Sequence, residues 1–288
     1  MRARNARAMR LLASGAALAF AGLAMPGAAH AQFQCSTDPA APGDNRTCVN
    51  TGLETLQPFT NETNAGGAAT TINNGTSQAL HVFTTGGGDA TIINTGVIDA
   101  NGFTTTAQAF GVGANARIRN LGTGNGLFSV VSDSGEALFY NGGSIYGYVE
   151  LGANTFGTAV LTNAGVLHSP SASGFAINFE FNDLTFARST LNIEPGSRII
   201  GIIYLAGTGG GPPTAVNFRS GADISSVTTF GGNNLPMGGL SSPSQVQVSG
   251  GAPYVISGHT VAILDPTSFG MQDRNLVDVT RTISSMVT

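Results

Sequence analysis

Between Arg46 and Gly165 apolar and polar residues alternate in short runs, and the runs end on one recurring phrase. It reads VNTGL at Asn50, INNGT at Asn73, INTGV at Asn94, RNLGT at Asn120, YNGGS at Asn141 and TNAGV at Asn163. The intervals are 23, 21, 26, 21 and 22 residues. A period in this range marks a solenoid, in which each repeat buries its apolar face only against its neighbours. Alternation with a period of two predicts strands, because side chains two apart share a face. Four residues before the asparagine stand Ala69, Ala90, Ala116, Ala137 and Ala159; two before it stand Cys48, Thr71, Ile92, Ile118, Phe139 and Leu161. These two columns are expected to point inward. Ile98, Ile145 and Leu167, each four after the asparagine, continue the row past a corner. The corner itself is assigned to Asn and Gly, both of which tolerate positive φ, and equivalent asparagines of successive coils can form a hydrogen-bonded ladder.

Leucine-rich repeats have a similar length but require L-x-x-L-x-L-x-x-N, which is missing. The pattern predicts an all-β fold, a right-handed single-stranded parallel β-helix of 20–30-residue coils. At about 4.8 Å per coil its rod would measure roughly 40 to 50 Å. After residue 170 the phrase changes. GFAINFEF still alternates, LNIEPGSRI and VNFRSGADI put a tighter Gly turn where the Asn corner stood, and Gly207 to Pro213 and Gly231 to Gly239 read as loops. The last coil is expected from Gln245 to Val261.

Both ends depart from the coil pattern. Arg2, Arg4, Arg7 and Arg10 precede the apolar run Leu11 to Met25, and Ala29-His30-Ala31 offers a small-x-small cleavage site, so residues 1–31 read as a helical secretory signal peptide. A run of about 15 residues falls short of the roughly 20 that a membrane span needs. At the other end Asp265-Pro266 is a good helix start, and Phe269, Leu276 and Ile283 recur every seven residues, which predicts an amphipathic helix within 261–288. The resulting division is 1–31 leader, 32–260 β-helix, 261–288 junction and helix.

Composition agrees with strands and turns. The chain holds 41 Gly in 288 residues, 10% charged residues, no Trp and no Lys, while 41% hydrophobic residues suffice for a core. Loss of residues 1–31 would leave 8 Arg against 16 acids, a formal charge of −8, which disfavours nucleic-acid binding. In an exported chain the only two cysteines, Cys35 and Cys48, are expected to form a structural disulfide, since C-x-x-C redox spacing is missing.

Candidate chemistry is sparse. Asp89 and Glu136 both stand five before their asparagine, with Asn115 in the intervening coil. Regular stacking would place the two carboxylates two rungs apart, roughly 9 to 10 Å, near the upper end of the spacing used by inverting glycosidases. They are the catalytic candidates, against solvation of an outer face. Glu180 and Asp183 are a weaker pair. His81, His168 and His259 are scattered, with no G-x-S-x-G or H-E-x-x-H, and read as surface or turn residues. The Gly86 to Gly88 and Gly207 to Gly211 runs read as turns rather than phosphate loops. No cofactor and no metal site is indicated.

The leader, the N-x-G coils, LNIEPGSRI and above all VAILDPTSFGMQDRNLVDVTRTISSMV together resemble a bacterial autotransporter, a type V secreted protein. The tail is similar to the junction where a passenger enters the helix that threads an outer-membrane translocator barrel. The resemblance implies export through the Sec route and a passenger at the cell surface, in the outer membrane or outside the cell. An adhesion or stalk role follows from it, with the barrel, absent from this chain, as one partner and a host cell, matrix or glycan as another. A chain ending at that helix is expected to be truncated before its barrel. The alternatives are a β-helical polysaccharide lyase or glycosidase and a gene fragment without function.

Overall fold

The computed structural model describes residues 33–36, 41–52, 58–153, 157–171, 174–179, 188–205, 214–219, 226–229, 246–249, 253–257 and 260–263. The expected leader helix and C-terminal helix lie outside these residues, as do Glu180, Asp183, His259 and Gly207 to Gly211.

The described chain is a β-solenoid of parallel stacked coils. One ten-stranded sheet gathers every strand that ends on the repeated asparagine: Arg46–Asn50, Ala69–Asn73, Ala90–Asn94, Ala116–Asn120, Glu136–Asn141 and Thr158–Asn163. Arg188–Ile193, Ala215–Phe218 and Val246–Val248 extend it. Registers are in step, so that Asn50, Asn73, Asn94, Asn120, Asn141 and Asn163 are partners in consecutive pairs. A second ten-stranded sheet runs from Phe59–Thr63 through Leu80–Thr84, Val97–Ala109, Thr123–Ser132 and Ser144–Ala153. It then splits into Val166–His168 with Phe175–Asn178, and Arg198–Ile200 with Ile202–Tyr204, and the short strand Thr76–Ser77 joins it beside Val97–Ala109.

The core lies between the two sheets. The alanine column is fully buried from Ala69 to Ala159, and the next column is buried from Cys48 through Ile92, Ile118 and Leu161 to Leu191, Val216 and Val246. Ile98, Ile145 and Leu167 close the row from the second sheet, and Phe128 meets Phe139 edge to face across the core, centroids 6.1 Å apart. Small side chains in one column leave room for large ones opposite, and burying each large aliphatic contributes about 1.5 to 3 kcal/mol.

A ladder runs along the corner. The Nδ2 of Asn50, Asn73, Asn94, Asn120 and Asn141 each donates to the Oδ1 of the next asparagine, at 2.7, 2.8, 2.7, 2.8 and 2.8 Å. All six side chains are fully buried. Most use their second amide hydrogen on a backbone carbonyl of the following strand, as Asn73 does on Val97 and Asn94 on Thr123. A primary amide is the one small side chain that can donate twice and accept once along such a column.

Two expectations need correction. First, the Asn-x-Gly corner does not use positive φ: none of its asparagines or glycines adopts it. Its glycines serve close approach, because a Cβ on Gly75, Gly96, Gly122, Gly143 or Gly165 would overlap the backbone oxygen of the glycine one coil below. Left-handed residues occupy the opposite corner, before the asparagine strand, as at Gly66 (φ 90°) and Gly87 (φ 102°). Second, Val246–Val248 stacks on Ala215–Phe218, but the chain does not continue as a coil to Val261 or residue 260. Ser226–Thr229, Tyr254–Ser257 and Thr260–Ile263 instead form an antiparallel three-stranded sheet. Gln34–Cys35 pairs antiparallel with Arg46–Asn50 and covers the open edge of the first coil.

The 26-residue interval has a local cause. Asp99 and Thr104 face Asn125 and Leu127, so three extra residues loop out at 101–103, with Gly102 at φ 91°. The next corner is two residues longer than its neighbour and carries Val112, 95% exposed. Insertions are thus absorbed at the surface while the ladder register is kept. Beyond Asn163 the ladder column passes to Ile193 and Phe218, and Glu194, Gly196 (φ 75°) and Ser197 make the turn.

Candidate functional site

The Asp89, Asn115 and Glu136 positions do line up along one corner. Asp89 Oδ1 accepts from the backbone N and the Nδ2 of Asn115 at 2.9 and 3.1 Å, and its Oδ2 lies 3.6 Å from Arg117. Asn115 Oδ1 in turn accepts from the backbone N of Glu136 at 2.9 Å. The Asp89 carboxylate therefore satisfies the N–H groups of the coil above, as a turn-capping acid does. Glu136 contributes its backbone N–H to this chain while its residue stays exposed.

At the first coil Cys35 and Cys48 stand directly opposite each other and are disulfide-bonded. Phe33 stacks on Phe59, centroids 3.7 Å apart, so the same hairpin roofs the core. Gly86 to Gly88 are a turn, with Gly86 and Gly87 left-handed and Gly88 packed on the backbone of Gly67. His168 lies edge-on to Tyr146 at 5.1 Å.

His81 has a different setting. A cleft of about 610 Å³ opens on the outer face of the second sheet, over its first three strands. Register brings Thr60, His81 and Thr106 into one column and Glu62, Phe83 and Gln108 into the next. All six line the cleft. Burial pushes the His81 imidazole below its usual value near 6.5, so it is neutral at pH 7, with one donor and one acceptor nitrogen. Phe83 leans on Phe110, centroids 5.3 Å apart, which fixes the ring at the cleft wall. Among the described residues the side chains of Thr60, Glu62, His81, Thr106 and Gln108 make no hydrogen bond to protein. Elsewhere on the rod polar side chains are spent on a neighbouring coil: Asn125 donates to Asp99 at 3.1 Å and Asn217 to Asn192 at 2.9 Å.

Sequence reasoning missed this cleft because the coils differ in length. Thr60, His81 and Thr106 lie 10, 8 and 12 residues after their own asparagines, so alignment on the repeat never places them together. Only the pairing register does. Among the described residues no group of three or more His, Cys, Asp or Glu could hold a metal ion, and no helix is long and apolar enough to cross a membrane.

Among the described residues the fold defines a β-solenoid rod with a polar cleft on its second sheet. No family model, curated protein or solved structure matches the chain.

Proposed function

We propose that the chain is an exported passenger of the autotransporter kind, displayed at or beyond the outer membrane as a rigid stalk that carries a binding face. The observation that carries this reading is the disulfide Cys35–Cys48, which seals the first coil a few residues behind a leader-like segment. Disulfides persist in oxidising compartments, so a structural bridge at this point fits a chain folded after export. The buried asparagine ladder supports the stalk role, since each coil is tied to the next independently of the surface loops. A translocator barrel would be its partner for export, and a host cell, matrix or glycan surface its target.

The test is to express residues 1–288 fused to a translocator barrel in a Gram-negative host, then fractionate the cells and label them intact with antibody. A mature N-terminus at Gln32, an oxidised cysteine pair and surface labelling are expected. Full-length chain held in the cytoplasm with reduced cysteines would overturn the proposal.

A further inference from the structure

We infer that the cleft over Thr60, His81, Thr106, Glu62, Phe83 and Gln108 binds a neutral, extended oligosaccharide lying along the rod axis. This deepens the display reading by naming what the binding face holds.

Three observations select the ligand class. The cleft presents hydrogen-bonding side chains of every neutral kind, two hydroxyls, an amide and an uncharged imidazole, beside one carboxylate, and none is used by the protein. A polyhydroxyl ligand offers a donor and an acceptor at each oxygen, which this mixture can satisfy, while the Phe83 ring supplies a flat apolar surface for the C–H face of a sugar. Charge comes next. No Arg or Lys lines the cleft and its imidazole is uncharged at pH 7, so an anionic polymer would meet Glu62 without a counter-charge. The third is geometry. Equivalent positions recur once per coil at about 4.8 Å, close to the length of one pyranose unit, so successive sugars meet successive rungs in the same way. A peptide laid along the rod axis gains less here, because it would cross the strands and would find the backbone groups of Leu80–Thr84, at the centre of the cleft, already paired with a strand on either side.

The test uses purified chain, so it stands or falls separately from export. Cellohexaose, maltohexaose, xylohexaose and mannohexaose are titrated calorimetrically, with hexagalacturonate as the anionic and hexalysine as the cationic comparison. Saturable binding of at least one neutral hexaose is expected. Phe83→Ala should weaken it at least tenfold and Gln108→Ala several-fold. Gln108 is a half-exposed outer residue, so its variant remains informative if Phe83→Ala disturbs folding, and thermal melting of both is recorded alongside. The inference is overturned if no neutral hexaose binds at millimolar concentration, if hexagalacturonate or hexalysine binds better, or if both folded variants retain full affinity.

Discussion

Asn94→Ala probes the ladder at its centre. Asn94 donates to Asn120 Oδ1 at 2.7 Å and to the Thr123 carbonyl at 3.1 Å, and it accepts from Asn73 Nδ2 at 2.8 Å. At about 1 kcal/mol net for each bond the truncation costs about 3 kcal/mol, and leaving the buried Asn120 Oδ1 unpaired raises this toward 5 kcal/mol. Asn163 closes the ladder. It accepts from Asn141 at 2.8 Å and donates to Gly165 O at 3.1 Å, so Asn163→Ala should cost only about 2 kcal/mol. At about 2 to 4 °C per kcal/mol for a domain of this size, the central variant should melt on the order of 10 °C below wild type and the terminal one about half as far.

Asn94→Asp sharpens the test. It keeps the size and the acceptor but removes both donors, and at neutral pH it sets a buried carboxylate against the oxygens of Asn120 and Thr123. It should be worse than alanine at pH 7 and recover toward pH 4, where the acid regains a proton to donate. Circular dichroism melts at the two pH values read this directly. Asn94→Ala melting within 2 °C of wild type, or no lower than Asn163→Ala, would refute the ladder as a source of stability.

Three further outcomes follow from the packing. Ile92→Asp and Leu161→Asp each bury an unpaired charge in a fully covered column and should prevent cooperative folding; unchanged thermal melting would reject the inward assignment. Gly96→Ala forces a methyl into the backbone of Gly75 and should disrupt stacking, whereas Gly102→Ala, at φ 91° with nothing nearby, should cost only about 1 to 2 kcal/mol; equal denaturation midpoints would contradict the close-approach role. The His81 pKa is lowered in the folded chain, so the unfolded chain takes up the proton first as pH falls. His81 therefore leaves stability complete above about pH 6.5 and lowers it as pH drops toward the folded value. His81→Gln should melt with a shallower loss between pH 7 and pH 5 than wild type, and identical pH profiles would show that the imidazole is not desolvated.

The alternation, the asparagine period and the alanine and aliphatic columns were enough to predict strands, coils, an inward row and a possible amide ladder. These are local properties: a period of two sets the face, and a repeat near 22 residues sets what stacks on what. The role of glycine was not legible, because positive φ and close approach both demand a missing Cβ, and only the neighbouring coil distinguishes them at Gly75 or Gly96. The antiparallel sheet after Ser226 was hidden for a similar reason. Its strands alternate like rungs, and pairing direction is a relation between segments rather than a property of either.

The chemistry divides in the same way. Asp89 and Glu136 were found because they keep a fixed distance from the asparagine, and that same fixed distance makes them parts of the repeating corner. The cleft residues have no fixed distance from it. Sequence alone determined that layers would pile up and which side chains they would hide, since burial follows the short-range pattern. The tertiary structure decided which outer residues become neighbours, because coils of unequal length meet in a register that only hydrogen bonding between whole strands sets.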